Sequence, residues 1–350
     1  MTLDPVFATQ LAASADRLFA LIDQFSQARV LVVGDLTLDE FLTGQVERLS
    51  REAPVLIIRH EETRQVPGGG ANAVYNLAQL GAQVKSVGLI GKDDQGRALR
   101  SLFEAAGIDT QGIVVDSDRP TVTKTRISGH ARQSVTQQIV RVDRKSDELP
   151  NLDLQLQLAE YIRQQLDSVD AVVCSDYGDG TLTPIVIEAA LSHPRSIVDT
   201  QKFLKRYTGA TIFTPNLPEA EQAVGYSLVS LSGAADPTLI RRAGRDLLEL
   251  TQAQHILITR GEDGMSLFDR TGTEQHIPAF NRTDVFDVTG AGDTVAAALT
   301  LGLTAGASPW EAAVLGNLAA SIVVRQFGTT TTTIDEMKTA LQQFLDSAAA

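Results

Sequence analysis

The stretch DVTGAGDT, residues 287–294, sets three small residues ahead of an aspartate that opens the apolar run VAAALTLGL. Gly290, Ala291 and Gly292 leave the amides of a turn uncovered, and a helix starting near Asp293 adds unpaired N–H groups and the positive end of its dipole. Such a nest attracts anions, phosphate among them. A carboxylate at that spot is useful if a hydroxyl must lose its proton beside a phosphate, because it can act as a general base. The same pattern arises when Asp293 does no more than cap its helix, the commonest use of Asp at a helix start.

Composition narrows the partners. A formal charge of -13 over 350 residues repels nucleic acid and anionic lipid in bulk while leaving room for a local phosphate site. No stretch approaches 18 consecutive apolar residues and no charged-then-apolar leader is present, so a soluble, cytoplasmic protein is expected, with neither membrane nor nucleic acid as partner. Cys174, in DAVVCSD, reads as a small core residue, and a single cysteine allows no disulfide within the chain. His60, His130, His193, His255 and His276 show no HxxxH or HxH spacing, which argues against zinc.

The elements that must position Asp293 follow from hydrophobic periodicity. Residues 7–27 read as an amphipathic helix. RVLVVGD, QVKSVGLIG, DAVVCSDYG, RSIVDTQ, ATIFTPN and HILITRGEDG are short apolar runs closed by polar residues or glycine, and helical segments such as ANAVYNLAQLG and LIRRAGRDLLELTQ alternate with them. This alternation predicts an α/β fold, a mostly parallel central sheet flanked by helices, with ligands beyond the carboxyl ends of the strands. Residues 41–66 and 120–143 break the rhythm with strand patterns and no intervening helix, and predict a small antiparallel β lid over the main sheet. Residues 1–28 are expected to be a helical extension and 29–350 the main domain. VGLIGKDD lacks the spacing of a P-loop and PGGGAN that of a dinucleotide fingerprint, so any phosphate cradle should be DVTGAGD, with TPNLPEAE and LITRGEDG at neighbouring strand ends.

GGGAN (68–72), Gly81, Gly91, TPNLPE (214–219), LITRGEDG (257–264) and DVTGAGD (287–293), in this order, resemble the ribokinase (PfkB) family of sugar kinases, and the likeness runs from about Arg29 to the C-terminus. VVGDLTLDEFLTG, RLSREAPV, PGGGAN, TVTKTRI, CSDYGDG and RYTGATIFTPN are most similar, within that family, to the kinases of D-glycero-D-manno-heptose 7-phosphate. The resemblance implies a ribokinase-like fold and ATP-dependent phosphorylation of the acceptor at O1, with ATP and Mg²⁺ as cofactors. Asp293 would be the base, with the amides of Gly290, Ala291, Gly292 and Asp293 facing the transferring phosphoryl group. Asn216 and Glu219 would organise Mg²⁺ through waters, although a turn with a helix cap explains them too. Thr259, Gly261 and Gly264 would contact ATP. Asp39 and Asn72 would hydrogen-bond the sugar, and Gly68, Gly69 and Gly70 would let the backbone approach it. Asp287 and Thr289 would line a monovalent cation site, K⁺ being the candidate ion. Bifunctional relatives carry a further domain with an HxGH signature, absent from this sequence, and the kinase step alone is expected.

Charge completes the expectation. A dianionic acceptor approaching an acidic chain needs local cations, and Arg48, Lys124 and Arg126 lie on lid segments that match the heptose kinases. Two departures stand near the phosphates: Asp199-Thr200-Gln201-Lys202 where the family reads DPK, and Asp179 where it carries a lysine. The lid strands, too apolar for so small a layer, are expected to pair two chains into a homodimer, with PVLII as the contact.

Overall fold

A computed structural model describes residues 5–131, 136–230, 234–281 and 285–349. In chain order the elements are α1 (Pro5–Asp23), β1 (Arg29–Gly34), β2 (Leu36–Leu49), β3 (Leu56–Gly69), α2 (Gly70–Gln79), β4 (Gln83–Gly91), α3 (Asp94–Ala105), β5 (Asp109–Asp116), β6 (Val122–His130) and β7 (Gln137–Arg144). They continue with α4 (Leu152–Gln165), β8 (Ala171–Asp176), α5 (Pro184–Leu191), β9 (Ser196–Thr200), β10 (Ile212–Phe213), α6 (Leu217–Val224), α7 (Pro237–Thr251) and β11 (His255–Thr259). The last are β12 (Met265–Asp269), β13 (Glu274–Ile277), α8 (Ala291–Thr304), α9 (Pro309–Val323) and α10 (Ile334–Ala349).

Among the described residues nine strands form the central sheet, in the order β13-β12-β11-β10-β9-β8-β1-β4-β5. Helices cover both faces of its middle strands: all six residues of β8 are buried, the polar Ser175 and Asp176 at its carboxyl end included. From β1 the chain passes to β4 on one side and later to β8 on the other, so the order reverses there and a crevice opens beyond the strand ends. The hairpin β12–β13 adds an antiparallel edge that the apolar runs do not announce. Helix starts follow local capping chemistry: Asp93, Asn151 and Asp236 accept from amides of α3, α4 and α7.

The lid is a second sheet, β3-β2-β6-β7, in which the outer pairs are antiparallel and β2–β6 is parallel. Its first two strands are longer than 41–66, reaching Leu36 and Gly69, and so continue directly from β1 and into α2; residues 132–135 of the 120–143 region lie outside the described residues. The N-terminal helix is no separate extension. Phe7, Leu11, Leu18, Leu21 and Ile22 of α1 are buried in the same core as Met337 and Leu341 of α10. Among the described residues no helix is long and apolar enough to cross a membrane.

Candidate active site

The carboxyl ends of β8, β9, β10 and β11 supply Asp176 and Tyr177, Asp199 and Thr200, Thr214 and Asn216, and Thr259 to a cavity of about 300 Å³. Asp39, Lys124 and Arg126 of the lid close it from above, and Gly290, Gly292 and Asp293 form its far wall. A second cavity of about 650 Å³ lies beyond that wall, lined by Leu217, Met265, Val295 and Val324 with Asn281 and Asn317 among them. Asn216, Thr259, Val288 and Gly292 face both spaces. The large cavity is mostly apolar with a few polar groups, as a planar base and ribose require, and the small one is polar.

Asp293 does not cap its helix. Gly290 stands at the cap position with φ +78, and Asp293 is the third residue of α8, 2% exposed. Its Oδ1 accepts from the Tyr177 hydroxyl at 2.9 Å and its Oδ2 from Asn72 Nδ2 at 2.8 Å. Burial, and then the charge of Asp199, push this carboxyl up to about 7, while Asn72, Tyr177 and Lys124 pull it down. A carboxylate near neutrality, held at both oxygens and facing a polar cavity, is equipped to take a proton. The Ala291 amide is not free for an anion, because it donates to Val288 O at 3.1 Å. The nest is therefore narrower than the sequence pattern suggests.

Asn216 and Glu219 cap a helix and also face the cavity. Each side chain accepts from the other's backbone amide at 2.9 Å, a capping box at the start of α6, and both still line the cavity. Partial burial and the neighbouring Asp199 push Glu219 up to about 7, and burial pushes Asp199 up to about 6. Among the described residues no three His, Cys, Asp or Glu side chains form a ready metal cage. The oxygen groups present suit a hard cation that keeps waters and takes its remaining ligands from phosphates, as Mg²⁺ does.

On the lid side, Asp39 is 3% exposed and its Oδ1 lies 3.0 Å from Arg126 Nη1, yet neither atom is aligned for a hydrogen bond. That leaves a buried carboxylate oxygen able to accept from a ligand hydroxyl. Arg126 is thus spoken for by Asp39, and its guanidinium lies over the Phe41 ring at 5.2 Å. Lys124 Nζ lies 5.3 Å from the Tyr177 ring centre and, among the described residues, has no ion-pair partner. Arg48 is a correction. It is exposed near the far end of β2, donates to Leu49 O, and is displaced along the strand from Asp39 by roughly 30 Å at the usual rise per residue.

The glycine run also divides. Only Gly69 reaches the cavity, with φ +51. A Cβ on Gly68 would come within 2.6 Å of the Asp39 carboxyl carbon, and one on Gly70 within 2.9 Å of the Asp35 backbone, so these two make room for protein rather than ligand. Asn72 sits behind Asp293, its Oδ1 accepting from Asn76, and is not a wall of the cavity. Gly261 and Gly264 line the large cavity in the turn between β11 and β12, where both have positive φ. Asp287 closes a turn: Thr289 and Gly328 amides and the Thr289 hydroxyl donate to it, and these donors outweigh burial to hold its carboxyl below its ordinary value. That leaves it only its remaining lone pairs for a cation.

Sequence reasoning gave no role to Tyr177 or Asp35, and met Asp199 only within a departure from the family pattern. Their one signal was position, a polar residue ending a buried strand run. Of the two departures, Asp179 pairs with Lys145 at 3.6 Å, and Gln201 lines the cavity where Lys202 is exposed.

A model of the pfkB family carbohydrate kinases matches residues 27–336. The bifunctional protein HldE of Pelobacter propionicus is 40% identical over 318 residues, covering 89% of this chain and 63% of that protein. The bifunctional protein HldE of Gluconobacter oxydans is 39% identical over 337 residues, covering 94% and 68%. The chain thus spans about two thirds of the length of these relatives, and less than two thirds of the Pelobacter protein. Among solved structures, phosphofructokinase-2 from Escherichia coli in complex with potassium superposes with a TM-score of 0.71 at 20% identity, covering 91% of this chain and 99% of that one. Ribokinase of Arabidopsis thaliana, complexed with ribose and ATP, gives 0.66 at 19% identity, covering 91% and 98%. By the extent of the family match and the identity to these relatives, the chain belongs to the pfkB family of carbohydrate kinases.

Proposed function

We propose that the chain is an ATP-dependent sugar-phosphate kinase acting on O1 of D-glycero-D-manno-heptose 7-phosphate to give the 1,7-bisphosphate. The observation that carries the kinase reading is Asp293, a buried carboxylate held at both oxygens between a polar cavity and a large apolar one. The heptose reading is supported by the lid segments and by a cation, Lys124, that lines the small cavity and, among the described residues, forms no ion pair.

The acceptor lies between Asp39 and Asp293, and the nucleotide base occupies the large cavity. Asp293 takes the O1 proton as O1 attacks the γ-phosphorus in line; the O1–P bond forms, the bond to the bridging oxygen breaks, and ADP leaves. The amides of Gly292 and Asp293 at the start of α8 face the transferring group and stabilise its charge. Mg²⁺ arriving with ATP would be held by Asn216 and Glu219 through waters, with Asp199 alongside, and would neutralise phosphate charge.

An acceptor screen with ATP, reading ADP release over free and phosphorylated sugars, tests the assignment, and Lys124→Ala sharpens it. At pH 8.5, above the Asp293 midpoint, the variant is expected to lose roughly tenfold to a hundredfold in kcat/KM for heptose 7-phosphate, the usual size of one charge-assisted contact, and little for free heptose. Wild-type preference for a free sugar, or equal losses on both acceptors, would leave only a broader sugar-kinase reading.

The lid supports a homodimer as its assembly. Leu49, Val55, Leu56, Ile139, Val140 and Val142 are exposed on it, more apolar surface than a four-stranded layer presents to water alone. Sedimentation should give a dimer at micromolar concentration; a fully active monomer would refute this.

A further inference from the structure

Both donors that hold Asp293 trace back to one residue that touches neither cavity. Asp35, 1% exposed at the end of β1, accepts the amides of Tyr177 and Asp179 on Oδ2 and that of Thr181 on Oδ1, each at 2.9 Å. Its carboxylate thereby fixes the loop that carries the Tyr177 hydroxyl. Its carbonyl oxygen accepts the Gly70 amide at 2.9 Å, which fixes the first residue of α2, and α2 carries Asn72. The approach is close: a Cβ on Gly70 would meet Asp35 N and O at 2.9 Å. Three amides converge on a carboxylate that lies outside both cavities, although burying it and setting it near Asp176 pushes it up to about 6. A group kept ionisable at that cost and spent wholly on backbone amides is a fixing point for the loop.

We propose that Tyr177 and Asp35 are positioning residues for the transfer base: the Tyr177 hydroxyl fixes Oδ1 of Asp293, and Asp35 keeps Tyr177 and Asn72 in register with it. This rests on Asp293 being that base. The phenol is pushed well above its usual range by burial and by the charge of Asp293, so it stays protonated and can only donate. The groups acting on Asp293 are then Asp199, which raises its proton affinity, and Asn72, Tyr177 and Lys124, which lower it. Without the hydroxyl, burial and Asp199 are opposed by Asn72 and Lys124 alone, and the base titrates higher. A carboxylate left with one donor also has one oxygen free to turn away from O1.

The test uses the full chain as wild type, Tyr177→Phe and Asp35→Asn. Tyr177→Phe keeps the ring beside Lys124 and so preserves the packing. Two readouts are taken: the pH dependence of kcat/KM, and the midpoint of the Asp293 carboxyl by ¹³C NMR in ATP-free protein, assigned by its absence in Asp293→Asn. In Tyr177→Phe both the acid limb and the midpoint are expected to rise by about one to two pH units, the range of one lost hydrogen bond to a charged group. The plateau of kcat should fall roughly tenfold with the KM for ATP unchanged. Asp35→Asn, which presents an NH₂ to the loop amides, should move both readouts in the same direction. An unmoved limb and midpoint in Tyr177→Phe would overturn the proposal. Wild-type turnover in Asp293→Asn would instead overturn the reading beneath it, and the NMR midpoint separates the two failures because it needs no catalysis.

Discussion

Asp293→Asn is expected to lower kcat by about 10² to 10⁴, the range of a lost general base, while the KM for ATP holds. The same substitution is expected to raise the melting temperature at pH 8 by a few degrees. The sign follows from linkage. Asp293 titrates near 7 in the folded chain against 3.8 for the ordinary side chain, so the folded state retains a proton that the unfolded state releases. Wild-type stability therefore falls as pH rises from about 4 to about 7 and stays at the lower level above that. Asn carries no charge at any of these pH values, so its advantage should grow across the same window and vanish near pH 4, where both side chains are neutral. Calorimetry of the two proteins at pH 4, 6 and 8, beside steady-state assays, checks both halves. Near wild-type turnover would remove Asp293 from the chemistry, and equal melting temperatures at pH 8 would mean that its ionisation costs the fold nothing.

Gly292→Ala should separate activity from stability in the opposite way to most glycine substitutions. Gly292 is the second residue of α8 and exposed, and a Cβ built on it meets no atom within 4 Å. Alanine in a helix is favoured over glycine by about 1 kcal/mol, so the variant is expected to melt at or slightly above wild type. Yet Gly292 faces both cavities, and in the proposed pose, where the triphosphate crosses this wall, a methyl there would stand between the phosphoryl group and the amides proposed to neutralise it. The expected loss is about 10²-fold in kcat/KM, comparable with losing one donor to a developing oxyanion. Gly290→Ala is the contrast: φ is +78 and its Cβ would lie 2.5 Å from Asn72 Nδ2, so stability and activity should fall together. A Gly292→Ala enzyme with wild-type kcat/KM would show that the phosphates follow another path.

What the chain's own residues determined was local. Buried strands announced themselves as continuous apolar runs, because a central parallel strand is covered on both faces. Asp93, Asn151 and Asp236 could cap helices only because their partners lie two or three residues away. The small-residue turn before α8 was likewise legible, since a positive φ at Gly290 and an open face at Gly292 are properties of a few successive residues. The tertiary structure decided everything that depends on two distant segments meeting. Nothing in the stretch around Asp293 shows that Asn72 and Tyr177, 221 and 116 residues away, donate to its two oxygens. Arg48, Lys124 and Arg126 were equivalent as lid cations; the register of β2 against β6, which sets Asp39 beside Lys124, left Arg126 bound to Asp39, Lys124 facing the cavity and Arg48 far along the strand. Asp35 was invisible as a fixing point because its partners arrive through β8, a parallel neighbour reached only after a long crossover. A parallel pairing leaves no spacing rule in the sequence: its two strands are joined through other elements of arbitrary length, so only the folded sheet sets which residues face each other.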